Sequence, residues 1–304
     1  MKRMKRMLRA LLFAAGMVGA IGAASVAGGC TPSSERALHR AEACVKALAP
    51  DGNNGDAPSS NDPARIEKRF AALVDLLETP GLTPEAAGPL LSDLLRRTES
   101  DRERFRLLRE LCEKYLYSPE SPLRNDELYR YALEPIIASA HLDDYEKLRP
   151  RYQLGMTQRN GPGTVAADFT YTTADGMQAT LHDLAADYTL LYFNNPDCPT
   201  CEVLTRDLQR DRTIGRWVRS GRLRVLALYS NFDEEVEHWR THAAEFPAAW
   251  IVAYDDGARI CYEGLYDLRA VPCLYLLDAE KRVLVKGAIH KKEVTKALRR
   301  ASKN

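Results

Sequence analysis

Residues 188–201 constrain the fold more than any other stretch: Tyr-Thr-Leu-Leu-Tyr-Phe-Asn, then Asn-Pro-Asp-Cys-Pro-Thr-Cys. The first seven are strand-length, apolar and rich in aromatic and β-branched side chains, which fits a strand buried on both faces. Asn195-Pro196-Asp197 breaks that strand, and the cysteines open a helix-length segment that runs from Cys201 to Ser220. A CxxC between a strand and a helix is a redox arrangement rather than half of a zinc site. Four-coordinate zinc would need two more ligands at suitable spacing, and no second CxxC or Cys/His pair supplies them. The spacing has a chemical reason. A cysteine at a helix N-terminus faces unpaired N–H groups and the positive end of the dipole, which favour its thiolate. Three residues on, one helical turn away, the second thiol can attack a mixed disulfide formed by the first. Cys198 is therefore the expected nucleophile and Cys201 the expected resolving thiol, and their own disulfide is the only redox group the chemistry asks for.

Similar short runs recur downstream: Leu223–Tyr229, Trp250–Tyr254 and Cys273–Leu277, with a final strand over Arg282–Ala288 and a helix over Lys291–Ala301. Between them lie helix-length segments at Asp233–Glu245 and Asp256–Leu268. Buried strands alternating with helices predict a central sheet covered on both faces. Upstream the pattern changes to helical. Ile66, Phe70, Leu73, Val74 and Leu77 recur at three- and four-residue spacing, as do Phe105, Leu108, Leu111, Cys112 and Tyr115. Asp62-Pro63 and Thr83-Pro84 read as N-caps with proline in the first turn. A small all-α domain of about five helices is expected over residues 63–153. A Gly/Pro-rich boundary at Leu154–Thr164 should act as a hinge before the second domain, residues 160–304.

The N-terminus reads as a targeting segment. Lys2, Arg3, Lys5, Arg6 and Arg9 precede an uncharged run of small and apolar residues from Ala10 to Gly29. Val26-Ala27-Gly28-Gly29-Cys30 resembles a bacterial lipobox, which makes residues 1–29 a signal peptide and Cys30 the lipidated residue. A signal-peptidase site at Ser25-Val26-Ala27 and a retained membrane anchor are the alternatives, and all three put the rest of the chain outside the cytoplasm. Residues 30–62 then form a lipid-anchored tether with a short helix over Arg36–Leu48 and a flexible polar loop over 51–62. The five basic residues of that segment stand beside no acidic ones, so its removal turns a net charge of +1 into −4. No basic surface for nucleic acid is suggested. Outside the cytoplasm cysteine pairs can persist as disulfides. Of the seven cysteines, only Cys198 and Cys201 have motif spacing. Cys44 and Cys112 lie on helical apolar faces, and Cys273 is either a buried strand cysteine or a third participating thiol, with Cys261 either its disulfide partner or an independent core residue.

Val271-Pro272-Cys273-Leu274-Tyr275 matches the proline-containing strand that faces the CxxC in thioredoxin-like proteins. Gly163–Phe169 (GTVAADF), Thr180–Leu184 (TLHDL), the strand and the CxxC follow in the order of the TlpA/ResA-type, membrane-attached thioredoxin-like proteins, which residues 160–304 resemble. Residues 31–150 resemble the helical domain of unknown function found before such domains in Bacteroidota lipoproteins, above all at Tyr115–Tyr129 (YLYSPESPLRNDELY). The resemblance implies an α/β thioredoxin-like fold, a central mixed sheet with flanking helices, behind a small helical domain. It further implies a cis bond before Pro272 and peptide binding by Val271 and Pro272 together with Pro199 and Thr200. The implied function is a thiol–disulfide oxidoreductase, in the reducing direction, on a periplasm-facing or cell-surface lipoprotein. Its partners would be protein thiols or disulfides and a membrane electron donor.

Three positions depart from that family. Tyr192 stands where thioredoxins have a buried Asp, Leu204 where many ResA-type proteins have Glu, and Asp197 where Trp is common before the first cysteine. Glu202 and Asp197 are the second-rank substitutes for the missing proton acceptor. These departures give weight to a rival reading, an envelope interaction protein that uses the fold as a scaffold, while an oxidase or isomerase would use the same cysteines. His238 and His242 sit one turn apart, but no third ligand accompanies them, so no metal site is expected.

Overall fold

The computed structural model describes residues 32–49, 62–229, 236–255 and 257–302. The expected signal peptide, Cys30, most of the polar loop over 51–62 and the side chain of His238 lie outside the described residues.

The helical domain consists of α1 (Pro32–Leu48), α2 (Pro63–Leu77), α3 (Pro84–Thr98), α4 (Arg102–Cys112), α5 (Asp126–Ala138) and α6 (Asp144–Gln158). Asp62 caps α2 by accepting from Ala64 N at 3.2 Å, whereas Thr83 takes the cap position of α3 without a side-chain bond. Ile66, Phe70, Leu73 and Leu77 of α2 meet Leu91, Leu94 and Leu95 of α3 and Leu128, Ala132 and Leu133 of α5 in one core. The segment expected to be a tether is part of this body. Its helix begins at Pro32 rather than Arg36, and Ala41, Val45 and Leu48 are buried in the same core. The hinge expected at Leu154–Thr164 is likewise replaced by contacts. Helix α6 continues through Pro150 to Gln158, and Asn160 Nδ2 donates to Leu265 O at 2.8 Å across the boundary.

The second domain is a seven-stranded sheet in the order β2-β1-β5-β4-β3-β6-β7. Its strands are β1 (Thr170–Thr173), β2 (Gln178–Thr180), β3 (Tyr188–Asn194), β4 (Leu223–Tyr229), β5 (Ile251–Tyr254), β6 (Cys273–Leu277) and β7 (Val283–Ala288). Strand β3 runs parallel to β4 and antiparallel to β6, so the sheet is mixed. Alternation divides its side chains between two cores. Leu191 and Phe193 point to a layer with Phe169, Tyr171 and Tyr266, while Leu190 and Tyr192 point to one with Leu204, Leu208 and Trp217. The expected helix Cys201–Ser220 is two, α7 (Pro199–Gln209) and α8 (Arg212–Arg219), because the Asp211 carboxylate accepts from Thr213 N and Ile214 N and starts a new helix. Helix α9 (Val236–Ala243) follows β4, and the helix expected over Asp256–Leu268 shrinks to one turn, α10 (Arg259–Tyr262). Helix α11 (Lys291–Ala301) closes the fold.

Candidate redox site and its setting

Strand β3 ends at Asn194, and the chain turns through Asn195-Pro196-Asp197 into α7. Asp197 makes that turn with φ 53°, a left-handed conformation that Asp tolerates better than most residues. Cys198 is the N-cap of α7 and Pro199 occupies the first turn, where its missing N–H costs nothing. Cys198 and Cys201 form a disulfide, with their Cα atoms 5.1 Å apart. The Cys201 N–H points at Cys198 Sγ at 3.2 Å, and Thr200 Oγ1 lies 3.2 Å from the same sulfur. The N-terminus of the helix is therefore aimed at the first sulfur. Exposure separates the pair: Cys198 is half-buried and Cys201 is 3% exposed. Pro199 and Thr200 are on the surface beside Cys198.

The register brings Pro272 to the same end of the sheet. Phe193 pairs with Cys273, so the residue after Phe193 and the residue before Cys273 are neighbours at the point where the chain leaves for the cysteines. The Val271–Pro272 bond is cis, as the resemblance implies. Cys198, Cys201, Pro199, Thr200, Val271 and Pro272 thus share one edge of the domain.

At the positions of the missing acids, Tyr192 is fully buried, donates its hydroxyl to Cys201 O at 2.8 Å and meets Thr205 Oγ1 at 2.8 Å. Burial pushes its phenol up to about 12, so it offers no base at neutral pH. Leu204 packs into the core. Glu202 is exposed and lies 3.5 Å from Arg206, and Asp197 is exposed on the opposite side of Cys198 in the chain. Cys273 is not bonded to Cys261. Burial, reinforced by Asp267, pushes its thiol up to about 12, which makes it a core residue rather than a third reactive thiol. Among the described residues no cluster of His, Cys, Asp and Glu could hold a metal, and no helix is long and apolar enough to cross a membrane.

One part of the setting escaped the sequence. The loop that leads into Val271-Pro272 is held by the helical domain. Arg269 donates to Asp267, to Tyr117 O at 2.6 Å and to both carboxylate oxygens of Asp126 at 3.3 Å. Its guanidinium also lies over the Tyr117 ring, 3.2 Å from the centroid. Lys286 of β7 reaches the same Asp126 at 3.0 Å. Arg124 donates to Gly287 O at 2.6 Å and Lys286 O at 2.7 Å. Gly287 has φ 59°, a left-handed conformation that suits glycine. Tyr117 ends a π-helical turn, Glu113–Tyr117, that continues α4. Tyr117, Arg124 and Asp126 fall within Tyr115–Tyr129, the stretch that carries the resemblance of that domain, while Lys286 also donates to Met156 O at 2.9 Å and Thr157 O at 3.0 Å on α6.

Comparison with known proteins agrees with this architecture. Residues 52–160 match the family model of a domain of unknown function, DUF5106. The chain is 36% identical to a thioredoxin-like protein from Bacteroides caccae, over 93% of this chain and 97% of that one, with a TM-score of 0.76. This chain belongs to the thioredoxin-like proteins. Two further crystal structures, both from Bacteroides fragilis, match part of it. One is the C-terminal domain of an uncharacterised protein, at 40% identity, covering 46% of this chain and 98% of that one with a TM-score of 0.44. The other is a conserved protein of unknown function, at 41% identity over 42% of this chain and 92% of that one with a TM-score of 0.40. No curated protein matches. The thioredoxin-like chain therefore joins a helical domain of unassigned role to a sheet domain that carries a cysteine pair.

Proposed function

We propose that this thioredoxin-like protein is a thiol–disulfide oxidoreductase that reduces protein disulfides through Cys198 and Cys201. The observation that carries the reading is the asymmetry of the pair. Cys198 is accessible at a helix N-terminus, where N–H groups stabilise a thiolate, while Cys201 is buried behind it on the next turn. A substrate can reach the first sulfur and not the second. Cys198 then forms the mixed disulfide, and Cys201 resolves it and re-forms the internal bond. Val271, Pro272, Pro199 and Thr200 line the approach to Cys198, so an extended peptide would lie along them with its backbone against Val271.

The sequence supports an envelope location, with a lipid on Cys30 anchoring the chain to a membrane face outside the cytoplasm. No nucleotide fingerprint accompanies the cysteines, so a membrane redox protein is the expected electron donor. The test is the reduction potential of the pair, measured by equilibration with dithiothreitol or glutathione and thiol trapping, with Cys198→Ser as the control. A reversible couple near about −270 mV supports a reductase and one near about −120 mV an oxidase. A pair that cannot be cycled removes the enzyme reading in favour of a binding protein built on the same fold.

A further inference from the structure

Resolution of a mixed disulfide needs Cys201 as a thiolate, because the thiol itself is a poor nucleophile. Cys201 is 3% exposed, so its thiol has little direct contact with bulk solvent. Tyr192, with its raised phenol, and Leu204 offer no acceptor. On its other side Cys201 borders a cavity of about 200 Å³ between α7 and the end of α9, lined also by Glu202, Thr205, Arg206, His242 and Glu245. Such a volume holds roughly six waters at about 30 Å³ each, and its walls are polar enough to keep them. The ionisable groups facing it are Glu202 and Arg206 from α7, and His242 and Glu245 from α9 and the turn after it.

These groups are not equivalent as acceptors. The Glu202 carboxylate is compensated by Arg206 at 3.5 Å, and an ordinary carboxylate lies about four pH units below a thiol. An imidazole lies only about two below and titrates next to neutrality. His242 Nδ1 is 3.4 Å from Glu245 Oε2, and the ring stands edge-on to Phe246 with centroids 5.8 Å apart. The carboxylate and the phenyl ring hold the imidazole in place beside the cavity.

We propose that His242, held by Glu245, accepts the proton of the Cys201 thiol through this cavity, a role that rests on the dithiol–disulfide reading above. In the resolving step the Cys201 S–H proton passes to His242, and the thiolate attacks the Cys198 sulfur of the mixed disulfide. The Cys198–substrate bond breaks as the Cys198–Cys201 bond forms. The bonding electron pair leaves with the substrate thiolate, which takes up a proton from solvent as the imidazolium returns its own. Two electrons have then moved from the dithiol to the substrate disulfide.

The two steps can be timed separately in the full chain. Reduced protein is mixed with one equivalent of a nitrobenzoate disulfide, whose released thiolate is coloured. The first release reports attack by Cys198 and the second reports resolution by Cys201. His242→Gln should leave the first phase unchanged and slow the second by about tenfold or more at pH 7. The deficit should close as pH rises into the range where Cys201 ionises unaided. Glu245→Gln, at an exposed position, should slow the second phase by less than His242→Gln does and leave the first unchanged, because the imidazole loses the carboxylate that holds it. A second phase of unchanged rate and pH profile in His242→Gln overturns the proposal, as does equal slowing of both phases. Absence of the first phase in the unmodified protein would instead remove the dithiol reading itself.

Discussion

Replacing Arg269 with alanine tests whether the helical domain holds the loop before Pro272. The guanidinium is 15% exposed, and its two carboxylate partners, Asp267 and Asp126, are 4% and 13% exposed. Breaking a buried ion pair by removing one partner costs about 3–5 kcal/mol, because an uncompensated charge is left behind. Asp126 keeps Lys286 at 3.0 Å, which places the loss at the lower end. Tyr117 O also loses its donor, and the Tyr117 ring loses its cation. We expect a loss of about 3 kcal/mol, roughly a hundredfold in the folding equilibrium. For a chain of this size that is a fall of roughly 5 °C in melting temperature. Urea and thermal melts measure it. Arg269→Lys should recover little, since an ammonium cannot bridge two carboxylates, a carbonyl and a ring face together. A loss under about 1 kcal/mol in Arg269→Ala, or full recovery in Arg269→Lys, would refute the reasoning.

Two further outcomes follow from groups away from the redox pair. Burial, with Asp75 adding to it and a bond from Asn125 opposing, raises the Glu78 carboxyl above its ordinary value. The folded protein therefore holds that proton after the unfolded chain has released it, and stability falls as pH rises from the ordinary carboxylate range through the raised value. Glu78→Gln should accordingly be stabilising at pH 7, by an upward shift in urea midpoint that vanishes near pH 4; equal midpoint shifts at both pH values would contradict this. Cys273, with its thiol near 12, should react with iodoacetamide at pH 8 roughly a thousandfold more slowly than an exposed thiol. Mass spectrometry of the reduced native protein should find the label on Cys198 and not on Cys273, and comparable labelling of both would show that the core opens there.

The legible parts of the molecule were those written locally. Strands β3, β4 and β6 are mostly apolar because both faces are largely covered, and the structure gives them the bounds expected from the sequence. The CxxC announced itself by standing between a strand and a helix. The β1–β2 hairpin did not, because Thr170–Thr173 and Gln178–Thr180 are short edge segments with only Tyr171 and Thr172 buried. Gly257 and Gly264, both at positive φ, cut the expected Asp256–Leu268 helix to a single turn. The interdomain contacts were the least legible, since Arg269 and Asp126 are 143 positions apart and nothing local to Arg269 or to the stretch around Asp126 ties one to the other. His242 was noticed for the wrong reason, its spacing from His238, whereas its neighbours are Glu245 and the cavity beside Cys201.

The joint between the domains also bears on the order in which the chain matures. The helical domain precedes the sheet in the chain and is built from contacts close in sequence, so it can fold before the sheet is complete. The sheet cannot be complete until β6 and β7 emerge, because β6 fills the place beside β3 and β7 is the edge strand that pairs with β6. Tyr117, Arg124 and Asp126 are by then in position, and the last strands bring Arg269, Lys286 and Gly287 to them. The earlier-made domain thus acts as an internal template for the late-made edge, and the loop beside the cysteine pair takes its final shape on a surface that was finished before the cysteines' own sheet.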